Sequence, residues 1–146
     1  MKVAEAISEH EELNPMLTQR GIPKPDVIFR GDLLDRAVRK ETGEELPLRA
    51  TKENNYYHTG CYAFIETGED DEPEVMYVGK AAKLGNRLTY HWRNEQPNFL
   101  FQWCDDRAQK GLGFSPYVAV WFSDNRESLE KELIGKLKPR YNIQRR

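Results

Sequence analysis

Three short apolar runs constrain the fold of this 146-residue chain most strongly, because each has the length of a strand rather than of a helix. Residues 60–65 alternate between two sets of side chains, as a strand with two different faces does. An acidic stretch, residues 67–73, leads into the second run, residues 75–78, so these two runs are expected to form an antiparallel hairpin. Residues 117–122 are rich in β-branched and aromatic side chains and predict a third strand.

Helical spacing and capping residues predict helices before, between and after these strands. One helix is expected to begin at an N-cap residue, Asp32, and to end at Gly43. Another follows the second strand and carries Arg87 and His91. The predicted helices run from about residue 2 to 13, 32 to 42, 84 to 93, 98 to 111 and 125 to 138.

Composition excludes several classes of protein. No apolar run approaches the roughly 18 residues of a membrane span, and the N-terminus lacks the apolar centre of a signal peptide. We therefore expect a cytoplasmic protein that does not enter a membrane. Cys61 and Cys104 are too few and too far apart for a zinc site or a disulfide framework, and both are expected to be buried free thiols.

The net charge of −2 conceals an uneven distribution of charge along the chain. Residues 51–75 contain 1 basic and 7 acidic side chains, whereas residues 76–146 contain 13 basic and 7 acidic ones. A basic C-terminal half favours a polyanionic partner on one side of the protein.

Four side chains of different chemistry lie within fifteen residues of one another, at Tyr77, Lys80, Arg87 and His91. At about 100° per residue, Arg87 and His91 project about 40° apart on the same helix. A phenol, an ammonium, a guanidinium and an imidazole together suit a phosphate. The alternative is a solvated basic helix face.

One carboxylate of the last predicted helix lies where apolar side chains are expected. With Leu129 at 0°, Leu133 and Leu137 fall at about 40° and 80°, and Glu130 falls at about 100°, inside the apolar stripe. A carboxylate against an apolar layer costs several kcal/mol unless a cation or donors compensate for it. Glu130 therefore needs a bound metal, an arginine, or a place at the rim of the domain.

These segments together resemble the GIY-YIG endonuclease superfamily. The tripeptides GCY at residues 60–62 and YVG at residues 77–79 stand for the two tripeptides of the family name. Residues 80–88 are similar to the segment that carries the family arginine, and residues 129–142 to the final motif with its glutamate and asparagine. The chain departs from the family at Cys61, where isoleucine is usual, and in its acidic loop.

The resemblance implies a small α/β (α+β) fold, in which a three-stranded antiparallel sheet is flanked by helices. It places this nuclease domain at residues 56–146 and leaves residues 1–55 as a helical N-terminal extension. It also implies an endonuclease that hydrolyses DNA phosphodiester bonds with one Mg²⁺ or Mn²⁺. The implied catalytic residues are Tyr62, Tyr77, Lys80, Arg87, His91, Glu130 and Asn142.

Each implied residue has an expected role, and that of Lys80 is to help lower the pKa of the catalytic tyrosine by its positive charge. Glu130 would be the metal ligand, and Arg87 would hold a phosphate oxygen. A tyrosine would take the proton of the attacking water, and the choice between Tyr62 and Tyr77 stays open. His91 would assist a tyrosine or the phosphate, and the asparagine would orient the site.

The resemblance leaves the biological type of nuclease open. A stand-alone restriction or phage-type enzyme is the first expectation, and a repair-type nicking endonuclease is the second. A non-catalytic DNA-binding module on the same scaffold is the third. The extension at residues 1–55 is expected either to contact DNA or to form a homodimer.

Overall fold

Four strands form one antiparallel sheet in the computed structural model, which describes Leu17 and residues 21–48, 59–67, 73–93 and 99–142. In chain order the elements are β1 (Val27–Arg30), a 3-10 turn (Gly31–Leu34), α1 (Arg36–Thr42), β2 (Gly60–Glu66), β3 (Glu74–Ala81), α2 (Leu84–Arg93), α3 (Phe99–Gln109), β4 (Pro116–Phe122) and α4 (Arg126–Leu137). The strand order is β1-β4-β2-β3, and every neighbouring pair is antiparallel.

The prediction of three strands is wrong by one strand. Residues 27–30, which were expected in the helical extension, form β1 and pair with β4 from Val27 opposite Val120 to Arg30 opposite Tyr117. Without β1, the apolar strand β4 would present an unpaired edge. Only four residues belong to β1, and they lie between a proline-rich connector and a helix, so the alternation that predicts a strand is too short to see.

The predicted start of the first described helix is also wrong. The side chain of Asp35, rather than that of Asp32, accepts a hydrogen bond from the Ala37 amide at 2.8 Å and caps α1. Asp32 lies in the 3-10 turn before it. The predicted end is confirmed, because Gly43 follows α1 with φ 75°, a conformation that favours glycine.

The sheet buries a different set of side chains on each face. On one face, here the tyrosine face, Tyr62, Phe64 and Tyr77 pack with residues of α2 and α3. On the other, here the α4 face, Cys61 and Ala63 pack with residues of β4 and α4. Two layers of helices therefore cover the sheet.

An extra residue in β3 adjusts its side chains to this arrangement. Phe64 pairs with Tyr77 and Ile65 pairs with Val75, so Met76 is an inserted bulge residue. The bulge places Met76 and Tyr77 in the same apolar cluster on the tyrosine face, although they are neighbours in the chain.

Several sequence predictions concern the outer parts of the chain. The predicted helix at residues 2–13 lies outside the described residues, and the structure describes residues 1–55 only at Leu17 and residues 21–48. The expected DNA-contacting or dimerising role of residues 1–55 stays a prediction. Among the described helices, none is both long and apolar enough to cross a membrane. Cys61 is buried as predicted, but Cys104 is exposed, because it faces away from the sheet on α3.

A buried carboxylate at the end of β2 joins the sheet to α3. Glu66 is 2% exposed and accepts hydrogen bonds from Trp103 Nε1 at 2.9 Å and from the Ser115 amide at 3.1 Å. Arg107 Nε lies 3.4 Å away and supplies positive charge. The carboxylate is therefore compensated where it is buried.

We expect Glu66→Ala to lower the free energy of unfolding by roughly 3–5 kcal/mol, because Arg107 and the indole donor would lose their buried partner. Glu74→Ala is the matched control, since Glu74 lies opposite Glu66 and pairs with Arg140 at the surface. That exposed pair should contribute less than about 1 kcal/mol. Urea unfolding of the two variants measures both values. Equal losses would contradict the structural role of Glu66.

Candidate functional site

A hydrogen-bonded phenol and imidazole lie at the centre of the tyrosine face. Tyr62 Oη is 2.8 Å from His91 Nε2, and the Tyr62 residue is only 2% exposed. β2 supplies the tyrosine, and the last turn of α2 supplies the histidine. Leu84 and Leu88 bury the same side of α2 and fix the helix against the sheet. A phenol and an imidazole in hydrogen-bond contact can exchange a proton.

Aromatic rings enclose this pair. The rings of Tyr77 and Phe99 are stacked, with centroids 3.8 Å apart and planes 5° from parallel. The His91 ring lies edge-on to both, at 5.9 Å from Tyr77 and 5.0 Å from Phe99. Phe99 was not among the residues predicted for the site, and nothing in the sequence indicated its contact with the two predicted site residues.

Gly79 leaves the space that the Tyr62 side chain occupies. The two residues are directly paired between β2 and β3. A Cβ at position 79 would lie 2.3 Å from Tyr62 Oη, closer than real atoms approach. Gly79, the last residue of the tripeptide YVG, therefore has to be a glycine so that Tyr62, the last residue of GCY, can occupy its position.

On the α4 face, Lys80 contacts two carboxylates. Its Nζ lies 3.7 Å from Glu130 Oε1 and 3.5 Å from Glu127 Oε1. The side chain of Glu130 is 13% exposed, whereas that of Glu127 is 76% exposed. The cation that compensates the inward-facing carboxylate is thus a lysine, a possibility the helical angles had not suggested.

A thiol lies beside this ion pair. Cys61 is paired with Lys80 in the sheet, and its Sγ donates a hydrogen bond to the Arg126 carbonyl at 3.2 Å. Burial raises the pKa of Cys61 to about 12, and the negative charge of Glu130 acts in the same direction.

Arg87 lies apart from both groups. It is exposed on α2 and lines an open groove of about 450 Å³. His91 points toward the sheet, although the two residues are one turn apart and were expected to act together. The groove is lined by Ala81, Ala82, Lys83, Asn86, Arg87 and Tyr90.

Asn142 binds the backbone of β3. Its Oδ1 accepts a hydrogen bond from the Val78 amide at 2.6 Å, and its Nδ2 donates one to the Val78 carbonyl at 2.8 Å. The Tyr141 amide donates to the Met76 carbonyl at 2.8 Å, so this segment follows the outer edge of β3. The asparagine thus replaces a strand partner immediately before Gly79 and positions that end of the strand.

Five of the seven predicted site residues therefore fall into two groups on opposite faces of the sheet instead of one pocket. Tyr62, Tyr77 and His91 lie together on the tyrosine face, and Lys80 and Glu130 on the α4 face. The reason is the register, which pairs Tyr62 with Gly79 and Cys61 with Lys80, so consecutive side chains point in opposite directions. β3 is an edge strand of the described sheet. Both groups lie near its C-terminal residues, one group on each face.

The carboxylates beside Lys80 are the residues that could hold a metal ion at this site. Within the described residues, no three His, Cys, Asp or Glu side chains are grouped so that they could enclose a cation. Mg²⁺ commonly binds proteins through one or two carboxylates, with waters and substrate phosphates completing its shell. Glu130, with Glu127 one helical turn before it, could offer such oxygens, at a position where Lys80 Nζ now lies 3.7 Å and 3.5 Å from the two carboxylates.

Comparisons with known protein families, with curated proteins and with solved structures give no match to this chain.

We expect Gly79→Ala to lower the free energy of unfolding by roughly 1–3 kcal/mol, because the new methyl group would displace the Tyr62 ring. Gly85→Ala is the matched control, since a Cβ at that helical position meets nothing within 4 Å. Alanine there should stabilise α2 by up to about 1 kcal/mol. Urea unfolding measures both variants, and two changes of the same sign and size would contradict the packing described here.

We also expect the two thiols to react very differently at pH 8. The raised pKa and burial of Cys61 suppress its thiolate, whereas Cys104 is exposed. A disulfide reagent should modify Cys104 rapidly in the folded protein, and Cys61 should react only after denaturant has unfolded the chain. Cys104→Ser should remove the rapid phase, and Cys61→Ser should preserve it. A rapid phase that disappears in Cys61→Ser would contradict this assignment.

Proposed function

We propose that this chain is a divalent-metal-dependent endonuclease that hydrolyses DNA phosphodiester bonds. The observation that carries the proposal is the hydrogen-bonded pair of the buried Tyr62 and the half-buried His91, with Oη and Nε2 2.8 Å apart above Gly79. A buried phenol held by an imidazole has the chemistry of a general base and its proton acceptor. Together with the resemblance of the surrounding motifs, it favours phosphodiester hydrolysis over a purely structural tyrosine.

The proposed proton path starts at a tyrosine. Tyr62 Oη would accept a proton from the attacking water and pass one to His91 Nε2, with which it already shares a hydrogen bond. Tyr77 remains the alternative base, because its ring lies next to both, with centroids 6.4 Å from Tyr62 and 5.9 Å from His91. In either case the imidazole would take up the proton.

The charged residues would bind and orient the phosphate. Arg87 offers a planar fork of donors that suits two phosphate oxygens. Lys80 would add positive charge at the end of β3, and Glu130 would hold Mg²⁺ or Mn²⁺ by a carboxylate oxygen. A divalent cation bound there would stabilise the negative charge that accumulates on a phosphate during hydrolysis. Asn142 would keep β3 in register through Val78.

The edge position of β3 makes the two groups compatible with one substrate. A phosphate placed beside the edge of a terminal strand can be reached from both faces of the sheet. Gly79 and Lys80 are consecutive there, one below the tyrosine hydroxyl and the other beside Glu130. The proposal therefore places the reacting phosphate at the end of β3.

A non-catalytic DNA-binding module is the second candidate, and one observation favours it. Lys80 already supplies Glu130 with a positive charge, which a metal would otherwise provide. On this account the ion pair is structural and DNA binds without being cut. Calorimetric titration with Mn²⁺ separates the two candidates. The nuclease should bind the metal, whereas a protein in which the Lys80–Glu130 pair is purely structural should not.

We expect Glu130→Gln to slow the nicking of supercoiled plasmid in Mg²⁺ or Mn²⁺ by roughly 100-fold or more, since a bound metal stabilises the transition state by several kcal/mol. Glu132→Gln is the matched control, because Glu132 lies on the same helix but pairs with Lys136 at the surface. It should cut like the parent. DNA binding should survive in both variants, and normal cutting by Glu130→Gln would contradict the metal assignment.

The same assay distinguishes the types of nuclease. Mapping the product ends on a defined plasmid would give one repeated sequence for a restriction or phage-type enzyme. Scattered or lesion-directed nicks would indicate the repair-type alternative. One chain offers one such site, so cutting both strands in one encounter would require a homodimer.

A further inference from the structure

The groove beside α2 has a composition that suits a nucleotide. Its six described lining residues include two cations, Lys83 and Arg87, and an amide, Asn86, but no carboxylate. In a chain with a net charge of −2, a groove lined by cations without an acidic residue is complementary to a polyanion. Its volume of about 450 Å³ lies within the range of roughly 300–1,000 Å³ that is typical of sites for small organic groups.

The groove also contains an exposed aromatic ring. Tyr90 is 52% exposed and lies three residues after Arg87, on the same side of α2. Its ring centroid is 6.3 Å from that of His91, so the groove lies next to the phenol–imidazole pair. Tyr90 was not among the residues that the sequence predicted for the site.

The exposed Tyr90 ring beside two cations distinguishes unpaired nucleotides from paired ones. Cations bind the phosphate of any strand, whether paired or single. The flat side of an aromatic ring can stack only on a base whose own face is uncovered, as in a single strand or a base turned out of the duplex. The ring therefore favours an unpaired nucleotide.

We propose that the α2 groove binds an unpaired nucleotide of a DNA strand, with its phosphate on Lys83 and Arg87 and its base stacked on Tyr90. This inference rests on the proposed function and adds the form of DNA that the site takes. It makes Tyr90 a substrate-binding residue and gives the nuclease a preference for single-stranded, nicked or locally opened DNA over intact duplex.

The test is a binding measurement that does not depend on cutting. Fluorescence anisotropy in Ca²⁺ would compare a labelled single-stranded oligonucleotide of mixed sequence with the same oligonucleotide as a duplex. The parent should bind the single strand more tightly. Tyr90→Ala should weaken single-strand binding roughly 5- to 150-fold, the range that loss of one stacked base produces. Tyr90→Phe keeps the ring and should bind like the parent.

Two controls separate stacking from general effects. Phe101→Ala removes an aromatic side chain that is 60% exposed on α3, away from the groove, and should leave binding unchanged. Arg87→Gln should reduce the slope of log affinity against log salt by about 0.7, the value for one phosphate contact on a single strand. Circular dichroism of each variant confirms that the fold is retained, and Tyr90→Leu provides a second ringless variant.

The outcomes distinguish this inference from the proposed function. If the parent cuts plasmid and Tyr90→Ala and Tyr90→Leu bind single strands like the parent, the inference fails and the nuclease proposal stands. Tighter binding of duplex than of single strand by the parent would also overturn the inference alone. If the parent neither binds the oligonucleotides nor cuts plasmid, both fail together.

Discussion

The close approach of Tyr62 to Gly79 is the contact on which the arrangement of this protein depends. The tyrosine ring lies over a backbone position that has no side chain, and any Cβ there would collide with the hydroxyl. The register of β2 and β3 follows from this contact, since a shift of one residue would turn Tyr62 to the other face. The same contact brings the hydroxyl within hydrogen-bond distance of His91, which Leu84 and Leu88 hold in place through α2.

That register also determines where charge lies. Because alternate residues point to opposite faces, fixing Gly79 under Tyr62 sends Lys80 toward α4, where it meets Glu130. One edge of the sheet thus carries a hydrogen-bonded phenol–imidazole pair on one face and an ion pair on the other. Asn142 binds the backbone of β3 at Val78, one residue before Gly79. We propose that both groups act on one phosphate at this edge.

The sequence predicted the features that depend on short-range patterns. The hairpin of β2 and β3, the strand β4 and the helix that ends at Gly43 all follow from alternation, helical spacing and capping chemistry. The strand β1 was missed because four residues are too few to show the two-residue alternation of a strand. Its partners in β4, from Tyr117 to Val120, are also far away in the sequence. Glu66 was missed for the same reason, since its donor Trp103 comes from a different element.

The positions of the candidate site residues were predictable only in part. Helical angles correctly singled out Glu130 as an inward-facing carboxylate, yet they could not show that its partner is a lysine on a strand. The same angles placed Arg87 and His91 side by side, whereas the structure turns a half-buried His91 toward the sheet and leaves Arg87 in solvent. The contribution of Tyr90 to the groove depends on how α2 lies against the end of β3, which the sequence of the helix does not contain.

A double-mutant cycle on the nicking rate tests most directly whether the two faces form one site. Single-turnover rates would be measured for the parent, Tyr62→Phe, Glu130→Gln and the double variant. Residues that act on the same transition state are strongly non-additive, so the double variant should be about as slow as the slower single variant. If either single variant keeps the parental rate, or if the two losses simply multiply, the phenol and the carboxylate do not act together and the account is contradicted.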